Sequence, residues 1–295
     1  MIAVYQPSWI LDSALILPYM KTNTQAIKLI VATVLLAFGI SAQAQTVNPM
    51  PSVNNNWRFS GTISGWAPAS WATVTTDHLS KSADSSISDN IKSAGGMAML
   101  TAEAHKGDWG LMGDLVYWQM LGDSNKVVPI LRGAGSVDVG TNSKTTQTML
   151  TVAATYTAYN SPSLYLDGLA GARYISSTST LAATGNLSVD AGGRVVSTSV
   201  SRYPSRVDQT TDPVIGFKGR ARISDTSWFV PFYADVGKGP GSNNTTWQAL
   251  VGVGNAYSWG DVTLAYRAMY FDLEPHIGTT KFLNAGPQLS ATVNF

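Results

Sequence analysis

From residue 57 onward, apolar side chains recur at every second position in blocks of about ten to fourteen residues, parted by turn-rich sequence. A period of two puts successive side chains on opposite faces of an extended chain, so each block predicts a strand. The strands fall near 57–67, 95–106, 109–120, 147–159, 164–176, 213–224, 227–238, 246–257, 260–272 and 282–295. The last block shows the pattern: Leu289, Ala291, Val293 and Phe295 share one face, and Gln288, Ser290, Thr292 and Asn294 the other. Val262, Leu264, Tyr266, Ala268 and Tyr270 likewise oppose Asp261, Thr263 and Arg267, and Ile215, Phe217, Ala221 and Ile223 oppose Lys218, Arg220 and Arg222.

The connections alternate strictly between tight and long. Gly107-Asp108, Ser161-Pro162-Ser163, Asp225-Thr226 and the region of Ser258 to Gly260 are tight, whereas 68–94, 121–146, 177–212, 239–245 and 273–281 are mostly longer and rich in Ser, Thr, Asn, Asp and Gly. This alternation predicts an all-β, antiparallel, up-and-down transmembrane β-barrel, with short periplasmic turns, long external loops and an even strand number. Ten strands are expected, with eight or twelve as alternatives, since Leu181 to Tyr203 in the third loop has the length for a further hairpin beyond the membrane. A turn at Gly107-Asp108 pairs Thr101 with Asp114 and Ala104 with Leu111, and a turn at Asp225-Thr226 pairs Lys218 with Tyr233 and Gly216 with Asp235. A slip of one residue breaks both sets of like-with-like pairs. Ser86 to Lys92 predicts one helical turn inside the first loop.

A soluble barrel shows the same alternation with its faces reversed. Aromatic placement argues for lipid outside: Trp57, Trp109, Trp228, Trp247, Tyr257 and Phe295 are expected near the short-turn end, and Tyr117, Tyr174 and Tyr270 near the long-loop end. Two such girdles suit rings that sit at the level of lipid headgroups. Composition agrees, because only 13% of the residues are charged, against about 25% in an average soluble domain. The absence of Cys removes disulfides, thiolate metal sites and cysteine nucleophiles, and 19 Lys+Arg against 18 Asp+Glu give no basic excess for nucleic acid.

Ahead of the strands, Lys21 and Lys28 precede the apolar run Leu29 to Ile40 and the small-residue pattern Ala42-Gln43-Ala44. This reads as a signal peptide over 1–44, with translation starting at Met20, a linker over 45–56 and the barrel over 57–295. Cleavage after Ala44 removes Asp12, Lys21 and Lys28 and leaves acidic and basic side chains equal in number.

Trp57-Arg58-Phe59, Gly65-Trp66-Ala67-Pro68, Lys106-Gly107-Asp108-Trp109-Gly110-Leu111, Gly216-Phe217-Lys218-Gly219-Arg220, Pro231-Phe232-Tyr233-Ala234-Asp235-Val236-Gly237, Trp259-Gly260-Asp261-Val262 and Ala265-Tyr266-Arg267 together resemble a family of small, porin-like proteobacterial outer-membrane β-barrel proteins. The resemblance spans nearly the whole chain after the linker. It implies location and architecture, and it lends no site residues.

The polar faces send Arg58, Glu103, His105, Asp114, Asp167, Arg173, Lys218, Arg220, Arg222, Asp235, Asp261 and Arg267 into the lumen. Ten strands sit close to the size at which side chains fill a barrel, so a salt-bridged polar core is the first expectation. Lys218, Arg220 and Arg222 on one strand form a basic ladder, which supports a narrow, weakly selective pore or a small-solute binding barrel. A structural or adhesive barrel acting through its loops is the alternative. The chain is not expected to be an enzyme; the least favoured reading is a rim protease of the omptin kind, using His78 with Asp77, Asp84 and Asp89 and His276 with Glu274 and Asp272.

No cofactor is expected. The three His are too dispersed for a metal site, and the Gly-x-Gly at Gly252 to Gly254 lies mid-strand, where it marks close packing. The partners expected are outer-membrane lipid, lipopolysaccharide and the barrel-assembly machinery acting through Phe295, with no nucleic acid; the sequence leaves the oligomeric state open.

Overall fold

The computed structural model describes residues 47–76, 79–130, 135–190, 195–203, 205–240, 244–273 and 279–295. The signal segment and the start at Met20 lie outside the described residues. The elements run β1 (Trp57–Trp66), β2 (Ala69–Thr76), β3 (Leu79–Ser85), α1 (Ile87–Ser93), β4 (Ala94–Lys106), β5 (Trp109–Ile130), β6 (Gly135–Asn160), β7 (Leu164–Asp190), β8 (Val195–Arg202), β9 (Ser205–Arg222), β10 (Trp228–Lys238), β11 (Thr245–Tyr257), β12 (Gly260–Leu273) and β13 (Thr279–Asn294).

Ten of these strands pair antiparallel in the order β1-β4-β5-β6-β7-β9-β10-β11-β12-β13, and β13 returns to β1, so the barrel closes. The ten are the strands the periodicity predicts. Register follows the expected parity, with Thr101 opposite Asp114, Ala104 opposite Leu111, Lys218 opposite Tyr233 and Gly216 opposite Asp235. The seam is held by Thr62 and Thr292, whose hydroxyls lie 2.9 Å apart, and by Ser64 and Ser290 at 2.8 Å. At the tight turn after β4, Gly107 takes φ +59°, a left-handed conformation a side chain would disfavour, and its N–H donates to the Asn54 carbonyl at 2.8 Å.

Three of the long connections carry more order than their polar composition suggests. β5, β6 and β7 continue as paired strands of 22, 26 and 27 residues, well past the roughly nine to eleven residues that cross a bilayer. Their Thr, Ser and Val residues suit extended backbone, and the ladder begun in the barrel continues through them. Leu181 to Tyr203 does contain a hairpin: the upper part of β7 pairs with β8, Ala183 opposite Arg202 and Asp190 opposite Val195. In the first long connection, β2 continues along β13 beyond β1, and β3 folds back on β2. The helical turn expected there is α1, capped by Ser86, whose hydroxyl accepts from the Asp89 N–H at 3.2 Å. Buried Asn90 ties α1 to the β1–β2 break by donating to the Pro68 carbonyl at 2.9 Å.

The outward face is apolar all round the ring. Ile63, Leu111, Ile215, Phe217, Val251, Leu264 and Tyr266 are all exposed, Ile215 at 65%. Trp57, Trp109, Trp228 and Phe295 are exposed at the short-turn end, where Trp57 stacks on Phe59 and Tyr257 on Trp259. Tyr117 and Tyr174 sit toward the long-loop end on outward positions of β5 and β7. One placement differs from the sequence reading. Trp247 lies opposite Tyr270 and stacks on it with ring centroids 5.9 Å apart, so it stands at the long-loop end. The reason is direction: β11 starts from the long connection, and Trp247 is near its beginning.

Candidate functional site

The candidate site is the barrel interior, and it is filled in layers. At the short-turn end the chain ahead of β1 turns into the mouth, where Pro49 is buried and its carbonyl accepts from Arg220 at 3.1 Å. Arg220 also pairs with Asp261 at 3.1 Å and lies over the Phe229 ring at 4.4 Å. Arg222 binds the Thr226 carbonyl at 2.8 Å, with Asp225 at 3.9 Å.

Just above, Arg58 donates to the Tyr165 hydroxyl at 2.9 Å and lies 3.4 Å from His105 Nδ1. The Tyr165 hydroxyl in turn donates to Asp167 at 2.9 Å, as does Thr157. Lys218 pairs directly with Glu103 and lies 3.9 Å from Asp167, and His105 Nε2 is 3.2 Å from the same Glu103 carboxylate. Lys218 and Arg220 are thus matched by acids from other strands, Glu103 and Asp261, whereas Arg222 has only the exposed Asp225 of its own turn at 3.9 Å. That lowers the self-repulsion that one strand carrying Lys218, Arg220 and Arg222 would otherwise have.

The middle layer holds two further networks. Arg267 binds Asp114 at 2.7 Å, Gln248 at 2.8 Å and Gln288 at 3.4 Å, and Thr101 donates to the other Asp114 oxygen at 2.7 Å. Arg173, fully buried, binds Asp235, Thr151 Oγ1 at 3.1 Å and Thr246 Oγ1 at 3.3 Å, and Asp235 also accepts from the Tyr233 hydroxyl. Beside these networks lies a cavity of about 120 Å³, bordered by the polar side chains of Glu103, Asp114, Lys218, Gln248 and Arg267 and by Met112, Tyr233, Ala249 and Leu250. At about 10–15 Å³ per water centre it has room for several waters.

The top layer is apolar. Trp66, Met99, Val116, Trp118, Met149, Ile175, Met269 and Phe271 form one buried cluster with Phe282 packed against it, and Trp66 stacks on Trp118 at 5.4 Å. The sequence reading, which gave the lumen to charges, missed this layer. Its signal was available in stretches where both faces turn apolar, such as Val116-Tyr117-Trp118 and Ala268-Met269-Tyr270-Phe271. Buried Asp212 was missed too, because it lay in a segment assigned to loop, whereas β9 begins at Ser205.

Of the rim carboxylates, Asp272 lies 3.5 Å from Lys281 and Asp84 is exposed. His78, Asp77, His276 and Glu274 lie outside the described residues. Among the described residues no group of three His, Cys, Asp or Glu side chains is placed to hold a metal. The mid-strand glycines are close-packed: a Cβ on Gly254 would lie 2.4 Å from the Phe229 ring, and one on Gly252 would lie 2.4 Å from the Leu264 carbonyl oxygen.

No family model matches the chain, and no curated protein matches it. The resemblance carried by the hairpin motifs therefore has no family match behind it. Among solved structures, the outer membrane protease OmpT from Escherichia coli aligns at 11% identity over 84% of this chain and 100% of its own, with a TM-score of 0.48. Ail, the attachment invasion locus protein of Yersinia pestis, solved with the heparin analogue sucrose octasulfate, aligns at 10% identity over 80% of this chain and 99% of its own, with a TM-score of 0.31. Neisserial surface protein A aligns at 12% identity over 80% of this chain and 96% of its own, with a TM-score of 0.23.

Proposed function

We propose that this protein is an integral outer-membrane β-barrel with a packed lumen, serving as a surface platform whose working part is the tall β5–β8 wall and the connections around it. Support for the membrane comes from the exterior: a continuous apolar belt around a closed barrel is larger than the patches soluble monomers expose, and aromatic side chains border it at both ends. Outer-membrane lipid and lipopolysaccharide are then its solvent. The terminal Phe295, 75% exposed and paired through its backbone with Phe59, is the element offered to the assembly machinery.

The observation that carries the platform reading is the layered filling of the lumen by Pro49, two salt-bridged networks and the Trp66–Trp118 plug. Among the described residues these layers lie one above another across the lumen, which supports a closed interior over a pore. The strand extensions, by contrast, carry a four-stranded, Thr- and Ser-rich sheet beyond the barrel. Two measurements test the reading together. Planar-bilayer recordings on the full chain should show no current steps, and removal of Ala183–Arg202 should abolish adhesion of expressing cells. Voltage-independent steps, or adhesion unchanged by the deletion, overturn it.

A second reading, a barrel that binds a small polar solute, draws on the 120 Å³ cavity beside Lys218 and Arg267. It predicts that Gln248→Leu changes solute retention while leaving the folded barrel intact on a gel. We propose a non-catalytic role for the rim; peptide cleavage by the full chain, lost on both His78→Ala and His276→Ala, would reverse that.

A further inference from the structure

On the side of the ring away from the tall wall, strand register lines up two rows of residues at the long-loop rim. Lys238 on β10 stands opposite Thr245 on β11, Thr245 opposite Asp272 on β12, Asp272 opposite Lys281 on β13, and Lys281 opposite Thr73 on β2. Two positions closer to the bilayer on each strand, the same pairings align Val236, Trp247, Tyr270, Leu283 and Trp71. Residues directly opposite share a face of the sheet. Those between the rows are lumenal: Thr246 and Phe271 are buried, and Phe282 packs on the Trp66–Trp118 cluster. Both rows therefore face outward.

Their chemistry divides as a membrane interface does. The inner row is apolar and aromatic: Trp247 stacks on Tyr270, and Val236 and Trp71 are exposed at 50% and 46%. The row beyond it carries two ammonium groups against one carboxylate. Lys238 is exposed, and Lys281, its side chain 52% exposed, is steadied by Asp272 at 3.5 Å. Basic groups just beyond an aromatic belt lie at the depth of lipid phosphates, and each adds affinity for an anionic headgroup. Lys238 and Lys281 stand three strand spacings apart, about 14 Å between their backbones. A headgroup that engages both is broad and carries more than one phosphate. On the tall wall, by contrast, the row beyond Tyr117 is Gln119, Thr146, Thr178 and Val207, with no charge.

Resting on the outer-membrane reading above, we propose that Lys238, Thr245 and Lys281, set beyond the Trp247–Tyr270 stack, form a lipopolysaccharide site on the outside of the barrel. The two ammonium groups and the Thr245 hydroxyl take phosphates of the sugar headgroup, and the aromatic row takes the acyl chains. Asp272 holds Lys281 in the row and leaves the site one net positive charge. Bound lipid anchors the short side of the barrel in the external leaflet, across the ring from the tall wall.

The probe is lipid A, the phosphorylated anchor of lipopolysaccharide, titrated by calorimetry into the full chain refolded in non-ionic detergent micelles. Lipid A stripped of its phosphates, phosphatidylglycerol and inorganic phosphate are parallel arms. One lipid A per chain is expected, with each of the other three at least about fivefold weaker. Lys238→Gln and Lys281→Gln should each weaken lipid A about fivefold, the worth of one basic group beside an anionic headgroup. Lys144→Gln, an exposed lysine farther out on the tall wall, should leave binding unchanged. If Lys281→Gln, which deprives Asp272 of its cation, does not refold, Lys238→Gln alone decides. Equal affinity for any parallel probe overturns the proposal, as does wild-type affinity in the refolded Lys238 or Lys281 variant. A chain that inserts into lipid vesicles yet gives one of those results loses the site alone; a chain that does not insert loses the membrane reading with it.

Discussion

At the scale of single residues, the interior ion pairs are exacting because each is cut off from water. Arg173 and Asp235 are both buried, so Arg173→Met leaves a carboxylate with one hydroxyl donor and no counter-charge. Loss of one partner of such a pair costs about 3–5 kcal/mol. The urea midpoint of the detergent-refolded variant should fall accordingly. Arg206→Ala, which breaks the solvent-exposed pair with Asp208, should cost about 0–1 kcal/mol. Equal midpoints for the two variants would show that the lumen is hydrated enough to screen its charges. The alternation marked most of the lumenal charges as inward, but it gave no indication that Lys218 meets Glu103 across 115 positions of sequence.

At the scale of elements, strands and hairpins were legible because period and parity are local. All ten barrel strands, their register at two turns and the α1 turn follow from neighbours in sequence. The extensions of β5, β6 and β7 were not, since Ser- and Thr-rich sequence reads as loop until a neighbouring strand offers its ladder. Among the described residues β8 pairs only with β7, while the upper part of β7 also pairs with β6, above the barrel. Removal of the β7–β8 hairpin, Ala183–Arg202 replaced by a short Gly-Ser turn, should leave the unboiled band compact on a gel, with an unfolding midpoint close to that of the full chain. Gly254→Val should lower the midpoint instead, because its Cβ would press on the fully buried Phe229 ring.

At the scale of the whole molecule, closure and filling decide the behaviour. A closed barrel has no free edge within the ring, so the chain should run compact without boiling and extended after it; one mobility in both lanes would contradict closure. Removing residues 47–56 opens only the lowest layer, because the Arg267 and Arg173 networks and the aromatic plug lie above Pro49. Bilayer recordings of that variant should stay at baseline. Current steps from it would place the barrier at the N-terminal segment and restore the pore reading.

The sequence by itself determined the all-β class, the strand positions, the inward and outward faces and the ends at which most aromatics lie, because an extended chain presents its side chains with a fixed period of two. It also held the lumenal residue types. Which of them meet across the lumen, and how the interior is packed, were decided only when β13 closed on β1. Closure sets the distance across the lumen. At that distance Trp66 reaches Trp118 and Arg267 reaches Asp114.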